Sequence, residues 1–442
     1  MKGNVIDWVR LRRFKHSETY RKLRDITTPQ ELREFQEARL NALLLHAYAH
    51  VPYYHRVFKE IGLIHGGAVD MSKFDRIPVL TKDILRRFTK ELVPNDLDKR
   101  RWFYDTSGGS TGEPVRIVQD ADFLRWGAAA EYYYYAHMLG IEEPVARRVI
   151  LWGSERDLFT GSVGIGARLN NRLTHVLFLN SFRMSESDME LYVDRINAHH
   201  PELIRGYANS LFVLCDYALR KKRSLYTPKA VVSSAELLTD SMRQVIESAF
   251  KTDVFNFYGS REVGGLAGEC MKGSMHQFAF FNQLEVLDEH DQPVGANEEG
   301  RVVVTNFANY AMPLIRYEMG DTVVRGDNVC TCGNPLPTLR RLTGRVGDHF
   351  VTRDGTMIEA NYFGFLFDFR DSIRRFQMIQ EDFARIRIKV ALRSPLTDSE
   401  QEDVEYKIRF VMGNCEILWD IVDDIPESGS GKYLFIKSLV GR

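Results

Sequence analysis

The feature that most constrains this chain is a short loop rich in glycine and hydroxyl side chains, residues 104–114, with the sequence YDTSGGSTGEP. Glycines let the backbone turn tightly, so that several N–H groups can face one anion. The hydroxyls of Thr106, Ser107, Ser110 and Thr111 add donors that suit phosphate oxygens. The spacing matches neither the Walker A loop nor the dinucleotide-binding fingerprint. Such a loop is also common as an ordinary solvated turn, so its interpretation depends on the motifs that follow.

The composition and charge of the chain are those of a globular protein and do not suggest a strongly charged partner. The 442 residues include 59 basic and 60 acidic side chains. This balance gives no support for a nucleic-acid or membrane partner. The chain contains no apolar run of membrane length, and its charged, amphipathic start does not resemble a signal peptide. Five cysteines do not make a disulfide framework in a chain of this size, so we expect a cytoplasmic protein.

Hydrophobic periodicity predicts an α/β fold followed by a smaller α+β unit. Residues 1–60 and 123–139 carry apolar side chains at helical spacing, and we expect the tyrosines near residue 134 to pack in the core. From residue 149 to 304, short β-like runs alternate with helical patterns, as in α/β architecture. The β-like runs are 149–152, the 230s, 254–258 and 302–305, with a helix at 239–250. After about residue 345 a compact α+β unit comprises 372–380, 385–392, 400–412 and 433–437.

Four further motifs follow the loop in order. An aromatic side chain at the end of a β run can stack on a purine, and a nearby carboxylate can hold Mg²⁺ beside phosphates. An aspartate after a glycine turn can accept two hydrogen bonds from a ribose diol. Each motif alone also fits a strand-end turn or a solvated tail lysine, and only their order favours function. The motifs are NFYGSRE at 256–262, PLIRYEMGD at 313–321, TGRVGD at 343–348 and ESGSGK at 427–432.

Together these motifs resemble the adenylate-forming (ANL) superfamily, and within it the phenylacetate–CoA ligases and their capsule-biosynthesis relatives. The resemblance covers essentially the whole chain. Residues 106–114 resemble the phosphate loop of the family, 258–262 its adenine and magnesium motif, and 316–321 its ribose motif. Residues 345–348 resemble the hinge, and 431–432 the motif of the catalytic lysine. Residues 234–236 resemble the segment that lines the adenine pocket, and 158–161 a glycine-bearing loop near the acyl site.

The resemblance implies a role for each matching residue. Lys432 would place an ammonium between the attacking carboxylate and the α-phosphate, and Glu262 would ligate Mg²⁺. Asp321 would anchor the ribose, and Tyr258 would stack on adenine. The remaining nucleotide-binding candidates are Thr106, Ser107, Gly108, Gly109, Ser110, Thr111, Gly112, Ser234, Ala235, Glu236, Gly259, Ser260 and Arg345.

The implied reaction has two steps and uses ATP with Mg²⁺. A carboxylic acid attacks the α-phosphorus, which gives an acyl-adenylate and pyrophosphate, and a nucleophile then displaces AMP. The acceptor is CoA or, in a second class of ligase, an amine, a sugar or a carrier-protein thiol. A third class, a non-enzymatic remnant of the fold, is disfavoured because Glu262, Asp321 and Lys432 are intact.

Two departures from the family pattern bear on the substrate. Glu113 stands where many relatives carry a lysine, so phosphate binding must rest on backbone amides, hydroxyls, Mg²⁺ and other basic groups. After the hinge, residues 351–357 and 376–380 look closer to the capsule-associated relatives than to the aryl–CoA ligases. The acyl pocket is expected to draw on Trp152, Phe159, Arg205, Gly206, Tyr207 and Ala208.

A cysteine and histidine cluster lies outside that chemistry. Cys270 and His276, together with Cys330 and Cys332, supply three thiols and one imidazole, which is the composition of a closed structural zinc site. The alternative is a buried thiol at Cys270 and a cysteine pair that binds nothing. Several members of the resembled branch carry a comparable cluster, so the resemblance also favours Zn²⁺. The other cysteines, Cys215 and Cys415, are predicted to be core residues.

The expected organisation is a large N-terminal domain over residues 1–343, a hinge at 344–348 and a small mobile domain over 349–442. The N-terminal domain should carry the nucleotide and acyl sites as well as the zinc cluster. The hinge would let the small domain swing between an adenylation and a transfer orientation. A homodimer is a further expectation.

Overall fold

The computed structural model describes residues 11–106, 116–152, 174–181, 184–328, 330–345, 349–368, 370, 372–425 and 436–440. Its mixed α/β architecture, with a large β-sheet and a C-terminal α+β domain, confirms the predicted fold class. The chain divides into two compact units. Unit one contains residues 1–145 and 257–342, and unit two contains residues 146–256 and 343–442. Among the described residues, no helix combines the length and the apolar character that a membrane span requires.

The N-terminal part of unit one is helical, as its periodicity predicts. Thr28 begins the longest of these helices with a reciprocal cap, because its side chain accepts from the Glu31 amide and the Glu31 carboxylate accepts from the Thr28 amide. The buried face of this helix includes Leu40, Leu43 and Leu44. The helices are α1 Glu18–Arg24, α2 Pro29–His50, α3 Pro52–Ile61, α4 Lys82–Arg87 and α5 Thr89–Leu92, with 3-10 turns at Met71–Arg76 and Leu97–Lys99.

The strands that lie wholly or mostly in unit one form an antiparallel array and two separate hairpins. In the array the order is β12-β13-β14-β15-β11-β10-β9. The hairpins pair β1 with β2 and β3 with β4. The strands are β1 Ile64–His65, β2 Ala68–Val69, β3 Trp102–Thr106, β4 Arg116–Asp120, β9 Val254–Ser260, β10 Gly264–Glu269, β11 Met275–Gln277, β12 Asn282–Leu287, β13 Glu299–Asn306, β14 Tyr317–Arg325 and β15 Thr338–Arg345.

Helix α6, Ala121–Tyr133, carries the tyrosine cluster into the core of unit one. Its N-terminus is capped by Asp120, whose carboxylate accepts from the Phe123 amide. The helix continues as a π-helical turn over Tyr134–Met138. The tyrosines from 132 to 135 are all buried, which confirms their predicted core role. Tyr134 packs so closely on β10 that a Cβ at Gly268 would lie 2.4 Å from its ring.

Unit two begins with parallel strands joined by helices, the pattern expected from alternating strand and helix signals. The strands pair in the order β6-β5-β7-β8. Because parallel strands share an orientation, Trp152, Tyr207 and Ser234 all stand at carboxyl ends, where open α/β sheets bind ligands. The elements are β5 Arg148–Trp152, β6 Val176–Asn180, α7 Glu186–His199, β7 Leu203–Tyr207, α8 Ala208–Arg220, β8 Ala230–Ser234 and α9 Asp240–Phe250.

The C-terminal part of unit two is the expected α+β arrangement. A four-stranded sheet of order β20-β19-β18-β21 packs with helices whose apolar faces join the core of residues 149–254. Phe212 of α8 stacks on Phe410 with ring centroids 4.6 Å apart. Cys215 and Cys415 are buried, as predicted. The elements are β16 His349–Val351, β17 Met357–Glu359, α10 Ala360–Asp368, β18 Ile373–Asp382, β19 Arg385–Leu392, α11 Asp398–Met412, β20 Glu416–Ile421 and β21 Ile436–Ser438.

Candidate functional site

Two residues from separate sequence motifs meet in unit one. Tyr258 lies near the end of β9 and Asp321 lies within β14, 63 positions further along the chain. The Tyr258 hydroxyl donates to Oδ2 of Asp321 across 2.7 Å. This bond orients the ring beside a carboxylate, a group whose oxygens can accept hydrogen bonds from a ribose diol. The aromatic and the diol-binding candidates are therefore neighbours in space.

The turn after β9 holds Glu262 in a fixed position. Gly259 is required there, because a Cβ would lie 2.7 Å from the carbonyl oxygen of Gly264 on the paired strand. The Gln119 side-chain amide, on β4, donates to the carbonyl oxygen of Arg261 at 2.7 Å. Glu262 itself is only 7% exposed. Gln119 was not recognised from the sequence, since one neutral amide in a strand belongs to no motif.

The strand that carries Gln119, β4, also follows the hydroxyl-rich loop along the chain. Thr106, the last residue of β3, pairs with Arg116, the first residue of β4, so the loop connects the two strands of a hairpin. The guanidinium of Arg116 lies 3.7 Å from the ring centroid of Tyr104. A cation–π contact of this kind holds a positive charge at the base of the loop. The loop residues Ser107, Gly108, Gly109, Ser110, Thr111 and Gly112 lie outside the described residues.

Arg316, the first residue of the ribose-like motif, has a structural role. It is 2% exposed and adopts the left-handed backbone region, with φ of 49°. Its guanidinium donates to the carbonyl oxygens of Asp75 at 2.6 Å and Ile77 at 2.7 Å. It also forms a buried ion pair with Glu285 at 3.1 Å. Burial raises the pKa of Glu285, and the guanidinium opposes that rise.

The adenine-pocket candidates Ser234, Ala235 and Glu236 follow β8 in unit two. Ser234 is buried, and Ala235 has a φ of 69°, a conformation that costs a non-glycine residue free energy. The carboxylate of Glu236 accepts from the Asn209 amide at 2.8 Å, in the first turn of α8. Tyr207 occupies the N-cap position of α8, but its side chain makes no capping hydrogen bond. Glu236 thus caps α8 from another part of the chain.

Three of the acyl-pocket candidates contact one another in unit two. The rings of Trp152 and Tyr207 have centroids 4.0 Å apart, and the guanidinium of Arg205 lies 5.6 Å from the Trp152 ring. Gly206 is tightly enclosed, since a Cβ would lie 3.0 Å from Leu211. Ala208 begins α8 and is fully buried. These residues stand at the carboxyl ends of β5 and β7.

Lys432 and Phe159 lie outside the described residues, as do residues 346–348 of the hinge. Arg345 is described as the last residue of β15, but the position of its side chain is not. Ser260 is described, and its hydroxyl accepts from the Val263 amide at 3.4 Å within the β9–β10 turn.

The four zinc candidates converge in unit one. One ligand atom from each of Cys270, His276, Cys330 and Cys332 lies within 4.8 Å of all the others. The sulfurs of Cys270 and Cys330 are 3.7 Å apart, and the Cys332 sulfur is 3.2 Å from Nε2 of His276. A zinc tetrahedron with Zn–S bonds of about 2.3 Å has S···S edges of about 3.8 Å. The cluster therefore has the ligands and the spacing that zinc requires.

Surrounding groups prepare this cluster for a cation. The Nδ1–H of His276 donates to the carbonyl oxygen of Leu336 at 3.0 Å, which leaves Nε2 as the ligand atom. Burial opposes ionisation of the Cys330 thiol, but hydrogen bonds from Ser274 and Cys332 outweigh it and lower its pKa to about 6. Burial and neighbouring thiols raise the pKa of Cys332 to about 12. A divalent cation would offset the repulsion between neighbouring thiolates and so allow several of these thiols to be ionised together.

The sequence relatives point to one enzyme class. A family model described as the CapK C-terminal domain matches residues 350–439. Protein CapK of Staphylococcus aureus is 24% identical, and the alignment covers 98% of this chain and 94% of that protein. A phenylacetate-coenzyme A ligase of Thermus thermophilus is 25% identical over 83% of each chain, and one of Escherichia coli is 27% identical over 73% of each.

Solved structures agree on the fold. A 2-hydroxyisobutyryl-CoA ligase in the postadenylation state has a TM-score of 0.63 at 16% identity and covers 93% of this chain and 90% of that one. The resemblance to the adenylate-forming superfamily is confirmed, as is the resemblance to the phenylacetate–CoA ligases and their capsule-biosynthesis relatives. The chain is an enzyme of this adenylate-forming ligase class.

Proposed function

We propose that this enzyme activates a carboxylic acid with ATP, forming an acyl-adenylate, and then transfers the acyl group to CoA. The observation that carries the proposal is the hydrogen bond between Tyr258 and Asp321, which joins the adenine-type and ribose-type motifs at one place in unit one. The relatives named phenylacetate-coenzyme A ligase, which align over 73% to 83% of the chain, support CoA as acceptor.

Each step exchanges one bond. In the first, a carboxylate oxygen of the acid attacks the α-phosphorus of ATP, and the bond from that phosphorus to pyrophosphate breaks. In the second, the CoA sulfur attacks the acyl carbon, the bond to AMP breaks and the thiol proton passes to solvent. Negative charge builds on phosphoryl oxygens during the first step, so positioned donors and a metal ion supply most of the catalysis.

In unit one the proposed roles follow the geometry of the β9–β10 turn and β14. Asp321 accepts hydrogen bonds from the ribose, and Tyr258 stacks on adenine. Glu262 would hold Mg²⁺ beside the phosphates, since this ion prefers oxygen ligands such as a carboxylate. The loop from Thr106 to Gly112 supplies hydroxyl and amide donors to the phosphates. Gln119 is a positioning residue, because it holds the turn that carries Glu262.

Arg116 is a candidate for the cation that the loop lacks at position 113. The loop contains Glu113, where many relatives carry a lysine. Arg116 is the first residue of β4, two positions after the end of the loop, and its guanidinium lies over the ring of Tyr104. We infer that its guanidinium contributes to binding the phosphates of ATP.

Unit two contributes the remaining proposed roles. Residues 234–236 contact adenine, and Lys432 stabilises the charge at the α-phosphate during adenylation. Residues 349–442 act as a mobile domain that rotates about the hinge at 344–348. In the described conformation Phe410 of α11 stacks on Phe212 of α8, so the rotation has to release this contact.

For the cysteine and histidine cluster we propose a structural Zn²⁺. Four protein ligands close the coordination sphere, which leaves no position for a substrate. The ion would join the β10–β11 hairpin, which carries Cys270 and His276, to the segment that carries Cys330 and Cys332. We propose that the enzyme acts in the cytoplasm, because five cysteines do not make a disulfide framework in a chain of this size.

A second acceptor class is the alternative to CoA. The family model that matches residues 350–439 is the C-terminal domain of CapK. These residues form the part of the chain that the proposed mechanism brings to the acyl-adenylate for transfer. An amine, a sugar or a carrier-protein thiol in place of CoA is therefore the alternative that a test has to include.

Pyrophosphate release separates these possibilities. The full chain is incubated with ATP, Mg²⁺ and a panel of carboxylic acids, with CoA, with hydroxylamine as a general amine, and with neither. The proposal expects at least one acid to release pyrophosphate and CoA to accelerate turnover. Activity with an amine but not with CoA would support the second acceptor class. No acid-dependent release across aromatic, aliphatic and hydroxy acids would overturn the adenylation proposal.

A further inference from the structure

Two histidines and an aspartate form a second cluster of metal-ligand type in unit one, separate from the cysteines. His46 and His50 lie one helical turn apart at the C-terminal end of α2, and Asp96 lies just before the 3-10 turn Leu97–Lys99. One ligand atom from each residue lies within 4.8 Å of the other two. The Asn95 amide donates to the His50 carbonyl oxygen at 2.9 Å, so the backbone itself holds Asp96 beside the helix end.

Each imidazole already has one ring nitrogen engaged with an oxygen acceptor. Nε2 of His46 lies 3.2 Å from the carbonyl oxygen of Tyr310, and Nδ1 of His50 lies 2.9 Å from Oδ1 of Asn95. An acceptor oxygen requires the proton on the nitrogen that faces it, so the lone pair is on the other ring nitrogen. Metal-binding histidines show this arrangement, in which an outer oxygen fixes the tautomer and the ring orientation.

The carboxylate of Asp96 is only half used. Its Oδ2 accepts from Nη2 of Arg100 at 3.1 Å, and its side chain is 12% exposed. Its Oδ1 is buried and has no hydrogen-bond partner among the described residues. Such an oxygen carries a desolvation cost unless something binds it. Arg100 also lies 3.7 Å from Asp120, so its charge is shared between two carboxylates.

We propose that His46, His50 and Asp96 bind a divalent first-row transition ion, such as Zn²⁺ or Ni²⁺, with water in the remaining positions. Two imidazoles and one carboxylate suit such an ion better than they suit Mg²⁺ or Ca²⁺, because Mg²⁺ and Ca²⁺ favour oxygen ligands. Bonds of about 2.1 Å need ligand atoms closer than 4.8 Å, so binding of the ion has to draw the three side chains closer together. The ion would fasten the end of α2 to the segment that leads into β3.

Nickel binding to the full chain tests the site. The protein is first loaded with one equivalent of Zn²⁺ per chain, which the four-ligand cysteine cluster should take up in preference to the three-ligand site, and is then dialysed against Ni²⁺ and analysed for metal content. We expect about one Ni²⁺ per chain and a higher melting temperature. His50→Gln and Asp96→Asn should each weaken Ni²⁺ binding at least tenfold, since each removes a ligand. His55→Gln and Asp98→Asn, matched changes at exposed neighbours, should leave it unchanged.

Three results would overturn the proposal. These are the absence of Ni²⁺ binding in the unaltered chain, binding retained in both ligand variants, and loss of binding in the control variants. A cobalt spectrum excludes the remaining alternative, in which the added ion enters the cysteine cluster. Co²⁺ bound by His46, His50 and Asp96 gives no thiolate charge-transfer band, and a strong band would assign the ion to the cysteines. The ligand variants lie on two different segments, so misfolding of one still leaves the other as a test.

Discussion

The hydroxyl of Tyr258 donates to the carboxylate of Asp321 across 2.7 Å, and this bond fixes the geometry of the proposed nucleotide site. It joins the end of β9 to the middle of β14, two strands that are not neighbours in the array. The turn after β9 folds back so closely on Gly264 that only glycine fits at position 259. The hydrogen bond thus holds an aromatic ring and a carboxylate next to each other.

Replacing Asp321 should weaken ATP binding more than replacing the tyrosine hydroxyl. A hydrogen bond to a charged group contributes about 1.5–3 kcal/mol, so Asp321→Asn should raise the KM for ATP roughly 10- to 150-fold. Tyr258→Phe keeps the stacking ring and should have a smaller effect. Initial rates of pyrophosphate release at varied ATP measure both, with Asp98→Asn as an exposed control. Equal effects of all three variants would contradict the proposed role of Asp321.

The sequence predicted the elements of the fold better than the contacts of particular side chains. The helix expected at 239–250 is observed at Asp240–Phe250, because apolar spacing and a Thr239 cap are local signals. The π-helical turn after Tyr133 was not predicted, because it depends on how the tyrosines pack against other elements. Cys270, His276, Cys330 and Cys332 converge as predicted, because cysteine is rare and its spacing is informative.

Several side-chain contacts could not be predicted from the sequence, because they join parts of the chain that are distant in sequence. Gln119 acts through a hydrogen bond to a turn 142 residues away, and Glu236 caps a helix that begins before it in the chain. Arg316 lies inside a recognised motif, yet its guanidinium is directed to carbonyl oxygens of the segment near residue 76. The paired histidines of α2 are visible as an i, i+4 pattern, but Asp96 joins them only through tertiary structure.

Removing one partner of the buried pair Arg316 and Glu285 should cost more stability than removing both. Arg316→Met leaves Glu285 without its cation and two carbonyl oxygens without donors, and should destabilise the protein by about 3–5 kcal/mol. The double variant Arg316→Met/Glu285→Met removes both charges and should be less destabilised than the single one. The free energies of unfolding are compared in the full chain, from the hydrogen exchange of unit-one amides at increasing urea concentrations. A double variant less stable than Arg316→Met would contradict this account.

Purified protein should contain about one zinc per chain in the cysteine cluster. Cys330→Ser should lose that zinc and lower the melting temperature, because metal-binding free energy contributes to folding. Its effect on acid preference should be small, since the ligands lie outside the acyl residues. Cys415→Ala, which removes a buried thiol outside the cluster, should retain full zinc content. Zinc retained in Cys330→Ser would remove this residue from the ligand set.

The loss of folding stability at acidic pH should depend on Asp403 of α11. Burial tends to raise its pKa, but Lys407 and Arg370 outweigh burial and hold the pKa below the ordinary value of 3.8. A lowered folded-state pKa stabilises the protein fully above the ordinary value, and this stability is lost as the pH falls through the folded-state pKa. Asp403→Asn should therefore be less stable than the unaltered protein at pH 7, and the difference should shrink below about pH 4.

Melting temperatures between pH 2 and 8 test the role of Asp403, with Glu402→Gln, an exposed position on the same helix, as the control. The control should follow the curve of the unaltered protein. A constant difference between Asp403→Asn and the unaltered protein at every pH would mean that packing, not charge, explains the loss.

Lys432 should separate the two half-reactions. In the proposed mechanism its ammonium meets the reacting phosphate only in the adenylation orientation, so Lys432→Ala should slow acyl-adenylate formation roughly 10²- to 10³-fold, the usual effect of removing a donor that stabilises developing charge. Transfer from supplied acyl-adenylate should be much less affected. Glu262→Gln should impair metal-dependent adenylation in the same assay.

The measurement pairs pyrophosphate release, using an acid found active in the panel, with acceptor turnover that starts from the synthetic adenylate. Lys437→Ala, which changes a lysine on β21 five positions away, is the matched control and should leave both rates unchanged. If Lys432→Ala slows both half-reactions equally, the lysine supports folding or a step common to both. If it slows neither, another cation serves the α-phosphate, and Arg116 at the base of the loop is the first to be tested.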